Sequence, residues 1–301
     1  MTTILTITRV AGQGDGVAET PAGPVFVPLT LPGEVVRGEV RDGRLESVEV
    51  LEPSSDRVPP LSPHYGDCGG CSLQHWAKGP YLAWKRDQVV TALTRERIET
   101  EVEATVAVPA GTRRRLALHA RRLSDGRVVL GFKARKSWRL VEVSECPVAD
   151  PRLVRAFPAL ANVAAAFLEH PKSAPTLHVT WTLDGLDVDV TGVERRSGGL
   201  SADRRTQAVR TAAEADLARL SLAGETLVMA RQPRVVFGPA TVPLPAGGFL
   251  QAVPEAEAAM VSRAVEAVRG AKKVADLFCG AGTFTFPLAT VASVVAADAS
   301  A

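Results

Sequence analysis

Two of the four cysteines in this 301-residue sequence stand three apart, in "DCGGCSLQHW" at 67–76. Four cysteines in a chain of this length do not make a secreted disulfide framework. In a reducing compartment a pair at this spacing holds metal or does redox chemistry. Cys68 and Cys71 are therefore the first candidates for chemistry. Cys146, in "SECPVAD", and Cys279, in "DLFCGAG", lie far from them along the chain.

The second candidate is the glycine loop "DLFCGAG" at 276–282, between a buried strand and a helix. Gly280 and Gly282 let the backbone approach a ligand without a Cβ clash. The helix that follows adds unpaired N–H groups. A dinucleotide fold would want a third glycine at position 285, where this chain has Thr285. Asp276 precedes the loop, as an acid commonly does in S-adenosylmethionine folds. Asp298 ends the next strand, placed to accept hydrogen bonds from ribose hydroxyls. Two glycines alone are also what an ordinary strand–helix turn uses. The two acids in order around them favour a nucleotide cofactor.

Charge marks a third region. The formal net charge is +2, yet from Thr112 to Leu140 there are ten basic residues against one acid, Asp125. A field of one sign suits a phosphate backbone. Arg113, Arg114 and Arg115 head the run, and Phe132 and Trp138 interleave stacking faces or core residues. A solvated, arginine-rich hairpin is the alternative.

These residues need elements to position them. Residues 1–56 alternate apolar and polar in short runs separated by Gly, Asp and Pro, the pattern of a small closed β-barrel. "RVPPLSP" at 57–63 marks a boundary. Residues 78–96 carry Leu82, Val89, Val90 and Leu93 at helical spacing. Strand-like runs follow from 115 to 143. Helical and strand segments then alternate to 247, including a helical segment over "LVRAFPALANVAAAFLEH" and a hairpin turning at Asp184-Gly185. A helix with Pro254 in its first turn, an apolar stripe at Val261, Ala264, Val265 and Val268, and Gly270 as its stop leads into the glycine loop. The expected organisation is multidomain: a barrel over 1–56, a central α+β domain over 57–250, and the start of a Rossmann-like α/β domain over 251–301. No run approaches the roughly 20 apolar residues of a membrane span. The composition, 46% apolar and 23% charged, is that of a soluble globular protein. With no basic leader before an apolar run the protein is expected to be cytoplasmic, with no membrane partner, and no obligate protein partner is expected.

Taken together, these stretches resemble the RNA uracil-C5 methyltransferases that carry a TRAM barrel and an iron–sulfur cluster. "VFVPLTLPGEVVRGEV" resembles the barrel and "CGGCSLQH" the cluster segment. "GFKARKSWRLVEVSECPVAD" resembles the strand pair leading to the distant cluster cysteine. "GGFLQAVPEAE" and "DLFCGAGTFTFPLA" resemble the segments that hold the methyl donor.

The resemblance implies an S-adenosylmethionine-dependent enzyme forming 5-methyluridine in structured RNA, with 23S ribosomal RNA the first expectation and transfer RNA the second. A non-catalytic RNA-binding module is the rival of another class. The implied donor contacts are Gln251, Phe278, Gly280, Gly282, Thr283 and Asp298. The implied ligands of a [4Fe-4S] cluster are Cys68, Cys71 and Cys146, within a cluster segment of 62–76. The fourth ligand position holds Ser62, a harder and less acidic donor. An incomplete cluster, a zinc site and unliganded thiols all stay open. The family attacks uracil C6 with a cysteine thiolate, which activates C5 toward the methyl group. Cys279 lies in the donor loop and is not that nucleophile. No catalytic residue is assigned. The sequence reads as truncated within the methyltransferase domain and inactive by itself.

Overall fold

A computed structural model describes residues 2–194 and 199–299. The chain packs as two compact units. The first holds Met1–Ala107 together with Ala134–Ser137; the second holds Val108–Lys133 and the chain from Trp138 onward. Neither division falls at 56/57 or 250/251.

The first unit opens with six strands: β1 (Thr2–Thr6), β2 (Arg9–Val10), β3 (Gly16–Thr20), β4 (Gly23–Val27), β5 (Val35–Arg41) and β6 (Arg44–Glu52). They form one sheet in the order β1-β5-β6-β4-β3-β2. The two outer strands are consecutive in the chain, so the sheet curls back on itself. At the bend, Ile7 N–H donates to Glu34 O (2.9 Å) and Thr8 N–H to Val17 O (2.8 Å). Ile7, Ala18, Val25, Val27, Val36 and Leu45 fill the inside, which accounts for the period-2 alternation of the sequence.

The 57–76 segment packs onto this sheet. Trp76 shares a core with Val10 and Leu31, and Leu73, Tyr81 and Trp84 pack against it. Trp84 Nε1 donates to Val10 O at 3.1 Å. Tyr81 and Trp84 belong to α1 (Lys78–Arg95). The proline-rich run thus leads into one apolar cluster with the strands before it. Residues 134–137 join the unit through Asp15, which is buried and accepts hydrogen bonds from Arg135 and from Lys136 Nζ (2.8 Å), with Arg44 at 3.2 Å. Burial pushes the Asp15 carboxyl up, but the Lys136 hydrogen bond and the charges of Arg135, Lys136 and Arg44 hold it below its ordinary value.

The second unit is built on β7 (Arg115–Arg122), β8 (Val128–Lys133), β9 (Leu140–Glu142), α2 (Pro151–Arg155), α3 (Phe157–Ala165), β10 (Thr176–Thr182), β11 (Gly185–Thr191), α4 (Ala202–Glu214), β12 (Leu217–Leu222) and β13 (Glu225–Met229). The sheet order is β13-β12-β11-β10-β7-β8-β9. Within it β11 and β12 are parallel, joined by the α4 crossover, and the other pairs are antiparallel. The hairpin expected to turn at Asp184-Gly185 forms, with Leu183 and Asp184 as its turn and Gly185 (φ 114°) as the first residue of β11, paired with Thr182. The helical segment expected over 153–170 is split into α2 and α3 at Ala156. Pro158, in the first turn of α3, lacks the N–H that would continue the first helix.

A second hairpin follows, β14 (Arg234–Phe237) with β15 (Ala240–Pro243). Then come α5 (Pro254–Ala267), β16 (Lys273–Leu277), the short α6 (Thr285–Leu288) and β17 (Ser293–Ala297). β16 and β17 pair in parallel, Asp276 opposite Ala296. Among the described residues no helix is long and apolar enough to cross a membrane.

Candidate functional site

The loop after β16 is shaped by backbone conformations that few side chains adopt. Phe278 has φ 60°, Gly280 φ 54° and Gly282 φ 95°. For an aromatic residue this left-handed region is costly, and such strain marks functional loops. Cys279 N–H donates to Ala297 O (3.2 Å) and Gly282 N–H to Cys279 O (2.9 Å). Gly280 N–H donates to Asp298 Oδ2 at 2.8 Å, joining the loop to the end of β17. Thr285 Oγ1 donates to Asp276 Oδ2 at the other end.

The two glycines serve different purposes. A Cβ on Gly282 would lie 2.5 Å from Phe286 Cε2, so the ring packs directly on the bare backbone. A Cβ on Gly280 would meet nothing within 4 Å. That backbone is open to a ligand. Beside it the Phe278 side chain is 86% exposed.

The loop rests on the β14–β15 hairpin. Ala281 and Phe286 pack against Val235, Phe237, Leu244 and Leu250. The next residue after Leu250 is Gln251. Thus Phe278, Gly280, Gly282, Thr283 and Asp298 share one loop region, while Gln251 is tied to it through its neighbour in this cluster. Gln251 itself lines a cleft of about 290 Å³ with Arg113, Arg115, His178 and Phe249. The hairpin's role was not drawn from the sequence. Its signal is the alternation in "RVVFGPATVPL", where Val235 and Phe237 point to one face.

Arg114 fixes the Gln251 segment. Its backbone N–H donates to Ala252 O (2.7 Å), its Nε to Gln251 O (3.1 Å) and its Nη2 to Glu257 Oε2 (2.8 Å). Glu257 is the one fully buried residue of α5. Burial pushes its carboxyl up, with Arg114 pulling the other way. The sequence placed Arg114 only in the basic run and did not single out Glu257, because a buried charge pair has no local pattern.

The cysteine segment is held by hydrogen bonds. Ser62 N–H donates to Gln74 Oε1 (2.9 Å), His64 N–H to Ser62 Oγ (3.2 Å) and Tyr65 OH to Ser72 O (2.7 Å). Tyr65 OH also contacts His75 Nδ1. Cys68 Sγ accepts from Gly70 N–H at 3.4 Å. Burial, with Cys71 and Asp67 nearby, holds the Cys68 thiol above its ordinary value, with the Gly70 N–H pulling the other way. None of the four cysteines is in a disulfide. Cys68 and Cys71 belong to the first unit and Cys146 to the second. Among the described residues no group of three or more His, Cys, Asp or Glu is placed to hold a metal ion. The [4Fe-4S] cluster implied for Cys68, Cys71 and Cys146 is thus not supported, and Ser62 in the fourth place is a poor partner for a four-thiolate set.

The basic run divides. Arg114 is paired with Glu257, Arg127 with Glu142 (3.0 Å), and Arg135 and Lys136 with Asp15. Arg115 is half-buried, its guanidinium 5.9 Å from the centre of the Phe249 ring. Of the triplet Arg113–Arg115, Arg114 is therefore taken up by Glu257, while Arg113 is exposed and its Nε donates to Arg115 O. Arg121, Arg122 and Lys133 make no ion pair among the described residues. They line a cleft of about 970 Å³ together with Trp138.

The chain matches no protein-family model. It is 61% identical to a Caulobacter vibrioides protein described as an uncharacterized RNA methyltransferase, over 99% of this chain and 72% of the relative. A Brucella suis protein of the same description is 40% identical over 98% of this chain and 69% of the relative. A 23S rRNA (uracil(1939)-C(5))-methyltransferase of Chromohalobacter salexigens is 33% identical over 98% of this chain and 66% of its own length. The fold is similar to that of a Pyrococcus abyssi tRNA (uracil-54, C5)-methyltransferase solved with S-adenosyl-L-homocysteine. That likeness has a TM-score of 0.64 at 19% identity and covers 98% of this chain and 79% of the other. With its donor-type loop and this extent of identity, the chain belongs to the RNA methyltransferases.

Proposed function

We propose that this chain carries the donor loop and RNA-holding surfaces of an S-adenosylmethionine-dependent methyltransferase that forms 5-methyluridine in structured RNA, with ribosomal RNA its substrate. The observation that carries the reading is the open left-handed loop whose Gly280 N–H bonds Asp298. Bare backbone, an exposed aromatic ring and a carboxylate suit an adenosyl group. Gly280 would admit the donor to the backbone, Phe278 would offer an apolar face and Asp298 would accept from ribose hydroxyls. Gln251 and Thr283 would make the remaining polar contacts, and Gly282 keeps the loop closed on Phe286. When bound, the donor supplies an electrophilic methyl group.

Uracil C5 is a poor nucleophile until a thiolate adds at C6. Within these 301 residues Cys279 sits in the donor loop, and no cysteine matches that nucleophile. The 301 residues by themselves are therefore read as inactive. The ribosomal choice draws on the relative that acts on 23S rRNA; transfer RNA is the second reading, suggested by the structural neighbour. The test is to map 5-methyluridine in total RNA from cells lacking the gene. Loss of one ribosomal 5-methyluridine is expected. Loss of a transfer-RNA site instead selects the second reading, and an unchanged pattern in both RNAs overturns the proposal.

A further inference from the structure

Once the paired arginines are set aside, Arg113 and Arg115 line the small cleft at Gln251, and Arg121, Arg122 and Lys133 lie together on a larger cleft of the second unit. It is bounded by β7, β8, the 165–176 segment and α4. Arg121, Arg122, Lys133 and Arg204 line it, and none of them pairs with a carboxylate among the described residues. Arg122 donates to the carbonyls of Gly126 and Ala165, and Arg204 donates to Gln207 Oε1. The acid in the lining, Glu169, accepts from Ser201 Oγ (2.9 Å) and from Ser201 N–H. Four cations against the one carboxylate of Glu169 leave the cleft with a net positive field.

Trp138 stands at its edge with 86% of its surface exposed. Lys133 Nζ lies 3.8 Å from the centre of its ring. Exposure of the indole to water is costly, the Lys133 cation over one ring face offsets only part of that, and ring and cation together suit a base stacked beside its phosphate. His119, deeper in the cleft, bonds Thr176 Oγ1 at 2.9 Å. Burial, with Lys133 and His178 near, lowers its basicity, so it offers a hydrogen bond without further charge.

We infer that this cleft binds a single-stranded segment of RNA, one base stacked on Trp138 and the flanking phosphates on Arg121, Lys133 and Arg204. The inference rests on the RNA reading above and gives that reading a place on the protein. A base must be out of a duplex to reach the indole, which is why the segment is single-stranded. An acidic polypeptide would satisfy the charge but would leave the ring unused.

The test is fluorescence anisotropy of the full 301-residue chain with a labelled single-stranded RNA at several salt concentrations. Trp138→Ala should weaken binding about tenfold, and Trp138→Phe should recover most of the loss. Arg121→Glu with Lys133→Glu should weaken binding and flatten its salt dependence. Blunt duplex RNA and poly-glutamate should compete poorly. Equal binding by wild type and Trp138→Ala, or equal competition by either competitor, overturns the inference while leaving the RNA reading standing. Wild-type chain with no salt-dependent RNA affinity removes both.

Discussion

Arg114 and Glu257 lie 143 residues apart in the sequence and meet at 2.8 Å, each nearly shielded from solvent. The same guanidinium holds the Gln251 carbonyl. Arg114 thus joins the start of β7 to the first turn of α5 and to the segment expected to touch the methyl donor.

Arg114→Ala should cost about 3 kcal/mol at neutral pH, because it leaves a buried carboxylate without its partner. The deficit should narrow as the pH falls. Glu257 already has a raised pKa from burial, and losing Arg114 removes the group that lowers it. The folded variant then takes up a proton more readily than the unfolded chain, which favours folding at low pH. Urea unfolding of both proteins from pH 8 to pH 5 measures this. A deficit that stays constant across that range would mean that Glu257 does not titrate in the variant.

The loop glycines should differ. Gly282→Ala sets a Cβ 2.5 Å from the Phe286 ring at φ 95° and should loosen the loop from the β14–β15 hairpin. Gly280→Ala meets no atom and should cost only about 1 kcal/mol for its left-handed backbone. Thermal unfolding should therefore separate the two, with Gly282→Ala much the lower. S-adenosylhomocysteine titration should show a loss of affinity for both, since an added methyl on Gly280 enters the space proposed for the donor.

His75 is buried, and burial, with Arg57 and Arg135 nearby, lowers its pKa from 6.5 to about 4. The unfolded chain binds this proton near pH 6.5 and the folded chain only near pH 4. Its contribution to stability is present above pH 6.5 and is lost as pH falls through that window. Denaturation of wild type between pH 7 and pH 4 should show the slope, and His75→Gln should flatten it. An identical slope in the variant would assign the acid sensitivity to other groups.

Metal removal should leave the first unit intact. The 62–76 segment is held by Ser62, His64, Tyr65 and Gln74 through hydrogen bonds, and no group of three or more metal-ligating side chains is found among the described residues. Chelator treatment, and Cys68→Ser or Cys71→Ser, should shift the melting temperature by no more than an ordinary surface change, about 0.5 kcal/mol or less. A large drop on chelation, with iron or zinc released in proportion to protein, would restore the metal site.

The sequence by itself determined what a few neighbouring residues encode. Period-2 alternation specified the strands of the first sheet, the Asp184-Gly185 signal the β10–β11 hairpin to within one residue of its turn, and Gly280 and Gly282 the bend after β16. Each is a local backbone preference or a repeat matched to one face of an element. The tertiary structure decided which side chains remain available. Ten basic residues look alike in the run from Arg113 to Arg139, but Asp15 and Glu257 lie far away in sequence and take Arg135, Lys136 and Arg114. Trp138 could have been core; packing left it exposed. The three cysteines form no metal set among the described residues, although their motif was legible. Charge pairing, burial and ligand geometry depend on which distant residues folding brings within a few ångströms, and no local pattern records that distance.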